Sequence, residues 1–556
     1  MTKYTTDRAA EELQHGSNLG HLRLRHIETN DIVLIPTPSN DPKDPLNWSK
    51  PYKIYLALLV CAAMFFCNFL AAGPTVAIVD ITIGFTHIPP TEPGFPAAIA
   101  KIAYFFTSTA LLQGTGNLIW MPLIVKYGRR PVYIVSFTCY TLCAIWAGFS
   151  KTYGSELASR IFIGFFSGAG ECVAPLTISD IFFLHERGFY MALYTCSLAA
   201  GVSGGIILSG LITITHSWRY IYYVAAALIG GLTLLVIFTL PETSFIRNTS
   251  ERSISTSNKP REKDSEELNA AGHKSDQVVF EEEEHSSRAP RLGTEQLKQP
   301  YFVTSFRPLY GKFSEESIFK IAYRPIILLV LPPILWATLS MSVTIGFLVA
   351  ISSNFASAFA EAYGFAAWQS GLCFISGLIG TLAGILGGGY LSDWVADYFT
   401  RRNGGMREPE MRLPAINVAL ICSPLALVLY GCGIEYRWHW MVPTIGLGLL
   451  SFAIATGMNV SFVYVMDCYR PIAGEAVVTQ LAFKSAFGFL LSFYTNPWIA
   501  SEGYARSFGA MAGISGAVII LWVPLYIWGR RIRLATQKWT MLQNLIQWNK
   551  DREVGE

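Results

Sequence analysis

Apolar residues in this chain come in long blocks, not at the i, i+3, i+4 spacing of a half-buried helix or the alternation of a strand. Each block runs for about 20 residues with few charges, enough for a helix to cross about 30 Å of hydrocarbon. The first runs fall at Lys53–Ala72, Ala97–Ile119, Val132–Phe149, Leu157–Phe183, Tyr190–Thr213 and Tyr220–Leu240. A second set follows at Ile326–Ala350, Trp368–Leu391, Leu413–Cys432, Trp440–Met466, Ala476–Ala500 and Phe508–Trp528. The pattern predicts an all-α polytopic membrane protein of about twelve spans. They group as two six-helix bundles, residues 53–240 and 325–529.

Polar stretches separate and flank the bundles: a tail over 1–52, a linker over 241–324 and a second tail over 530–556. The linker reads "RNTSERSISTSNKPREKDSEELNAAGHKSD" and then "FEEEEHSSRAPR", too polar to fold by itself. Its Ser250–Ser257 part suits either phosphorylation or a plain solvated tether. Its end, Glu316–Pro325, is expected to form an interfacial helix. No apolar leader is expected ahead of the first span. Arg129, Arg130, Arg187, Arg401, Arg402, Arg407, Arg412, Arg470 and Arg530 crowd one set of loops, which places that face and both termini in the cytosol.

The net charge of +3 lies in those loops, so it reflects topology and implies no nucleic acid. The ten cysteines sit almost entirely in apolar runs without paired spacing, as packing residues and not as disulfides or metal ligands. The nine histidines fall in tails, loops or span ends, so no metal and no cofactor is expected. With no GxxxxGK[ST] phosphate loop either, the chain reads as neither an enzyme nor an ATP-driven pump.

Charges inside the apolar runs carry the candidate chemistry. Glu171 stands in the fourth run, about 21 Å from its start by helix rise. A charge at the bilayer centre costs about 2.5 to 3.5 kcal/mol on insertion scales, so such a residue faces a cavity or a partner. Three roles remain open for it: proton exchange with water, direct binding of a cationic solute, or pairing with Arg160 or Lys484. Lys484, in the eleventh run, is either its counterpart in the second half or a snorkelling side chain. Arg160 reads as structural. The halves also resemble each other: Asp180 closes the fourth run and Asp467 the tenth, with Gly170 and Gly457 placed alike upstream.

The turn "WMPLIVKYGRRPVYI" (Trp120 to Ile134), Arg160-x-x-x-Gly164-x-x-x-Gly168, "PET" at Pro241–Thr243, and Gly389 with Asp393 resemble the motifs of the major facilitator superfamily. "DPLNWSK" (Asp44 to Lys50), "DIFFLHERG" (Asp180 to Gly188) and "REPEMRLP" (Arg407 to Pro414) look like its fungal twelve-span drug:proton antiporter branch. Val125 and Met121 depart from the loop motif, and Val202 replaces the proline that marks antiporters in the fifth span.

The resemblance implies a cavity lined by spans one, four, seven and ten, hence Asn68, Glu171, Trp336 and Asn459. Tyr104, Gln113 and Tyr464 are further candidates. The competing reading of each aromatic is packing or lipid contact. Arg129 with Asp180 would form an inner gate latch, Asp393 and Asp467 its counterparts. The function implied is proton-coupled export of small organic compounds, such as drugs, toxins or secondary metabolites, from a fungal cell. Uptake of organic cations such as polyamines is the alternative, and a non-transporting sensor the competitor from another class. The expected partners are solute, protons and lipid, with the protein a monomer in the plasma or vacuolar membrane.

Overall fold

A computed structural model describes residues 41, 44–89, 92, 94–245, 317–403, 408–469 and 472–539. The linker phosphorylation segment, most of both tails, Arg407 and Arg470 lie outside them. Among the described residues the regular structure is helical: α1 Lys50–Ala72, α2 Ile78–Thr86, α3 Phe95–Thr115, α4 Asn117–Tyr127, α5 Arg129–Phe149, α6 Tyr153–Ile181, α7 Leu184–Ile212 and α8 Arg219–Thr239 in the first half. The second half holds α9 Ile318–Leu328, α10 Pro332–Tyr363, α11 Ala367–Leu372, α12 Ile375–Arg402, α13 Asn417–Glu435, α14 Met441–Cys468, α15 Ala473–Glu502, α16 Tyr504–Ile519 and α17 Trp522–Gln537. Eleven stretches are long and apolar enough to span a membrane among these residues. The second expected run is also helical, as α3 and α4, but falls outside that set.

Several helices outrun their expected ends. The first run was expected to stop at Ala72, before Gly73-Pro74, yet the helical stretch continues through a 3-10 turn, Gly73–Ala77, into α2. Gly73 lies so close to α7 that a Cβ would come within 2.5 Å of Ser209 Oγ. Packing against a neighbour thus holds the chain helical past a Gly-Pro that would end a helix in water. Pro175 sits inside α6 in the same way. Where a stop is real, backbone geometry marks it: Gly128 ends α4 at φ 93, a region that favours glycine.

The pairings repeat between halves. In the first, α1 packs on α7, α3 on α6 and α5 on α8; in the second, α10 packs on α15, α12 on α14 and α13 on α16. These are equivalent pairs if each half is counted from its own first span, as a duplicated bundle requires. The halves meet along α3 with α15, α7 with α12, and α4 with α9. Large apolar side chains such as Leu142 (60% exposed), Leu234 (57%) and Leu386 (63%) point outward, as lipid contact would have them.

Candidate solute and proton site

Glu171 lies within α6, nine residues before Asp180, so about 14 Å along the helix from that end. Three helices bring polar side chains to it. Gln113 of α3 donates from Nε2 to Glu171 Oε1 (3.3 Å) and to Asn68 Oδ1 of α1 (3.3 Å). Lys484 of α15 places Nζ 3.3 Å from the same Oε1. The Tyr194 hydroxyl of α7 donates to the Glu171 carbonyl at 3.3 Å.

All four ionisable or amide side chains are buried, Glu171 at 2% exposure and Lys484 at 6%. The carboxylate is unevenly used: Oε1 receives two donors, while Oε2 has no hydrogen-bond partner among the described residues. A buried acceptor with spare capacity can take a proton, or a donor group of a bound molecule.

Small residues let these helices meet. A Cβ on Gly168 would lie 2.2 Å from the carbonyl oxygen of Gln113, and one on Gly114 would lie 2.1 Å from Ser485 Oγ. The first contact seats α6 against α3 beside the carboxylate. The second seats α3 against α15, which carries Lys484.

The other expected residues lie elsewhere. Trp336 and Tyr464 pack edge to face, ring centroids 6.0 Å apart, within an apolar cluster of the second half that holds Leu328, Leu331, Ala453 and Val465. They are core residues of that half, and no described hydrogen bond or ring contact joins them to Glu171. Asn459 faces α12, its Nδ2 3.5 Å from where a Cβ on Gly389 would lie. The reason is helix phase: Trp336 and Tyr464 pack within their own half, and Asn459 lies toward α12 of the same half. Tyr104 packs on Phe493 across the halves, ring centroids 4.7 Å apart and planes tilted by 31°.

Arg160 pairs with Glu156 (Nε to Oε1, 3.4 Å), donates to the Leu70 carbonyl (2.9 Å), and lies over the rings of Phe106 and Tyr222. Glu156 also accepts from Tyr222 (2.7 Å) and Ser150 (2.5 Å). This fully buried network ties α6 to α1, α3 and α8, and Arg160 does not reach Glu171.

Arg129 Nε lies 3.0 Å from Asp180 Oδ2, and its Nη1 donates to Ser244 at 2.6 Å. Both residues belong to the first half, so this contact clamps α5, α6 and the 242–244 segment of one bundle and does not bridge the two. Glu242, the middle residue of the "PET" motif, caps α5 by accepting from the backbone N–H of Arg129 (2.8 Å) and Arg130 (3.1 Å), a role its motif did not disclose. In the second half Arg412 pairs with Asp393 (2.8 Å) and Asp467 (3.5 Å), while Arg533 and Glu410 form a double contact at 2.8 Å. The signal that could have found Arg412 was its place before the ninth span, parallel to Arg129 before the third.

A family model for the Major Facilitator Superfamily matches residues 58–479. An uncharacterised MFS-type transporter of Schizosaccharomyces pombe is 26% identical, the match covering 92% of this chain and 89% of that one. Protein HOL1 of Saccharomyces cerevisiae is likewise 26% identical, with 92% of each chain covered. The solved structure of the proton:xylose symporter XylE with bound 6-bromo-6-deoxy-D-glucose overlays with a TM-score of 0.58 at 12% identity, over 86% of this chain and 97% of that one, which shows the shared fold. The chain belongs to the major facilitator superfamily, as a multi-pass membrane transporter and not an enzyme.

Proposed function

We propose that this transporter couples solute movement to protons at Glu171, and that it exports small organic compounds such as toxins or secondary metabolites by alternating access. One observation carries the reading: a carboxylate 2% exposed inside the helix bundle keeps one oxygen without a hydrogen-bond partner among the described residues. A purely structural acid would be expected to use both oxygens, as Glu156 and Glu410 do. A side chain that must take up and release a proton or a solute keeps spare capacity. In this reading the halves rock about the α3–α15 and α7–α12 contacts, and Asn68 and Gln113 orient the carboxylate for whatever reaches Oε2. Both termini lie in the cytosol, the protein works as a monomer, and its membrane is the fungal plasma membrane.

Val202, where antiporters of the family carry proline, favours a second reading, proton-coupled uptake of organic cations such as polyamines. Vesicles with an imposed pH gradient separate the two, since export by antiport moves solute and protons oppositely and uptake by symport moves them together. The site is tested by Glu171→Gln, which keeps the shape and removes the ionisable group. It should fold and abolish gradient-driven accumulation; normal accumulation by that variant would sink the assignment.

A further inference from the structure

We propose that Lys484 is the coupling residue of this carrier. Its ion pair with Glu171 holds the two halves together while the carboxylate is unloaded, and a proton or solute at Glu171 releases it. The inference rests on the reading of Glu171 given above.

The pair joins α6 of the first half to α15 of the second at 3.3 Å. Lys484 is eleven residues from the start of α15, about 17 Å by helix rise, and Glu171 about 14 Å from the end of α6. Both distances run from the same end of the bundle, where Gly474 at the start of α15 lies against Leu176 and Met121, and α4 packs on α9. Opening toward that end separates the halves there and must break the pair.

The two partners are anchored differently. Glu171 is held to the first half by Gln113, itself bonded to Asn68. The Lys484 ammonium has three donors, and its one acceptor among the described residues is Glu171 Oε1. Attraction to that carboxylate is therefore what keeps the second half's charge in place. Because Oε2 has no hydrogen-bond partner among the described residues, a proton can arrive there without first evicting the ammonium. The proton comes from water on one face and forms the carboxylic O–H. Lys484 keeps all three of its protons, and the ion-pair attraction is gone. When the proton leaves to the other face, the pair reforms. The other titratable groups near Glu171 are Cys67 of α1, Cys172 of α6 and Tyr194 of α7; α3 presents the neutral amide of Gln113.

The test uses the full-length protein in lipid nanodiscs, with the proton as the only ligand. Nitroxide labels at Lys126→Cys, on α4, and Lys320→Cys, on α9, report separation of the halves at that end, with labelling of native cysteines removed by substitution. In an otherwise unaltered chain the separated population should rise about tenfold between about pH 8 and about pH 5. Lys484→Met and Glu171→Gln should each stay separated across that range, while Lys484→Arg keeps the pH response. If Lys484→Met alone does not fold, the double variant Glu171→Gln/Lys484→Met, which leaves no unpaired charge, should stay separated as well. A pair distance that ignores pH without these substitutions, or a lysine-free variant that still follows pH, overturns the proposal. Loss of gradient-driven transport in the unaltered chain would instead overturn the reading of function, since these distances do not depend on solute.

Discussion

Lys484 Nζ and Glu171 Oε1 stand 3.3 Å apart although the two residues are 313 positions distant in sequence and belong to different six-helix halves. Two charges out of water stabilise a fold little as a pair, but removing one partner leaves the other uncompensated, at about 3 to 5 kcal/mol. Lys484→Met should therefore lower thermal stability in detergent markedly, while Glu171→Gln/Lys484→Met recovers most of the loss. Additive losses in that double-mutant cycle would show that the charges do not interact.

Gln113 donates to both Glu171 and Asn68, and hydrogen bonds to charged groups contribute about 1.5 to 3 kcal/mol. Gln113→Leu should reduce proton-driven transport by about tenfold or more with folded yield largely kept. Initial rates in proteoliposomes check this; an unchanged rate would remove Gln113 from the site.

The Arg129–Asp180 contact, at 3.0 Å and about 7% exposure on each side, is intrabundle. Arg129→Ala should destabilise by about 3 to 5 kcal/mol by removing the charged partner that Arg129 gives the buried Asp180 carboxylate. Glu242→Ala should cost about 0.5 to 2 kcal/mol as a lost helix cap. Melting temperatures of the purified variants rank the two, and the reverse order would mean that the cap dominates.

Gly114 marks a close approach of α3 to α15, with a Cβ there 2.2 Å from that of Ser485. Gly114→Val should force the helices apart and slow transport at least about tenfold while leaving each half folded, because overpacking of this kind costs about 1 to 3 kcal/mol. Pairing it with Ser485→Gly should restore part of the rate. No rescue would place the defect elsewhere.

Trp336 and Tyr464 serve as controls. They pack on each other in a cluster of the second half, so Trp336→Phe should cost stability of about 1 kcal/mol and leave the solute preference unchanged. A changed preference in competition assays would return Trp336 to the site.

The apolar blocks alone determined that this chain is a bundle of membrane helices in two halves, because crossing hydrocarbon demands about 20 uncharged residues whatever surrounds them. The carboxylate at 171 was legible for the same reason: a charge in such a block has to face something polar. Its partner could not be chosen from the chain, where Arg160 and Lys484 were both candidates. Packing decided it. Arg160 is held by Glu156 four residues away and by the Leu70 carbonyl, which leaves Lys484 to cross from the other half. The helix end before Gly73-Pro74 was misjudged because a proline stops a helix in water, where freed carbonyls are solvated, but not where neighbouring helices enclose it. The inward or outward aim of Trp336, Asn459 and Tyr464 was likewise beyond the linear pattern. In helices apolar on all sides no periodicity marks a face, so only the contacts between helices set which side chains meet.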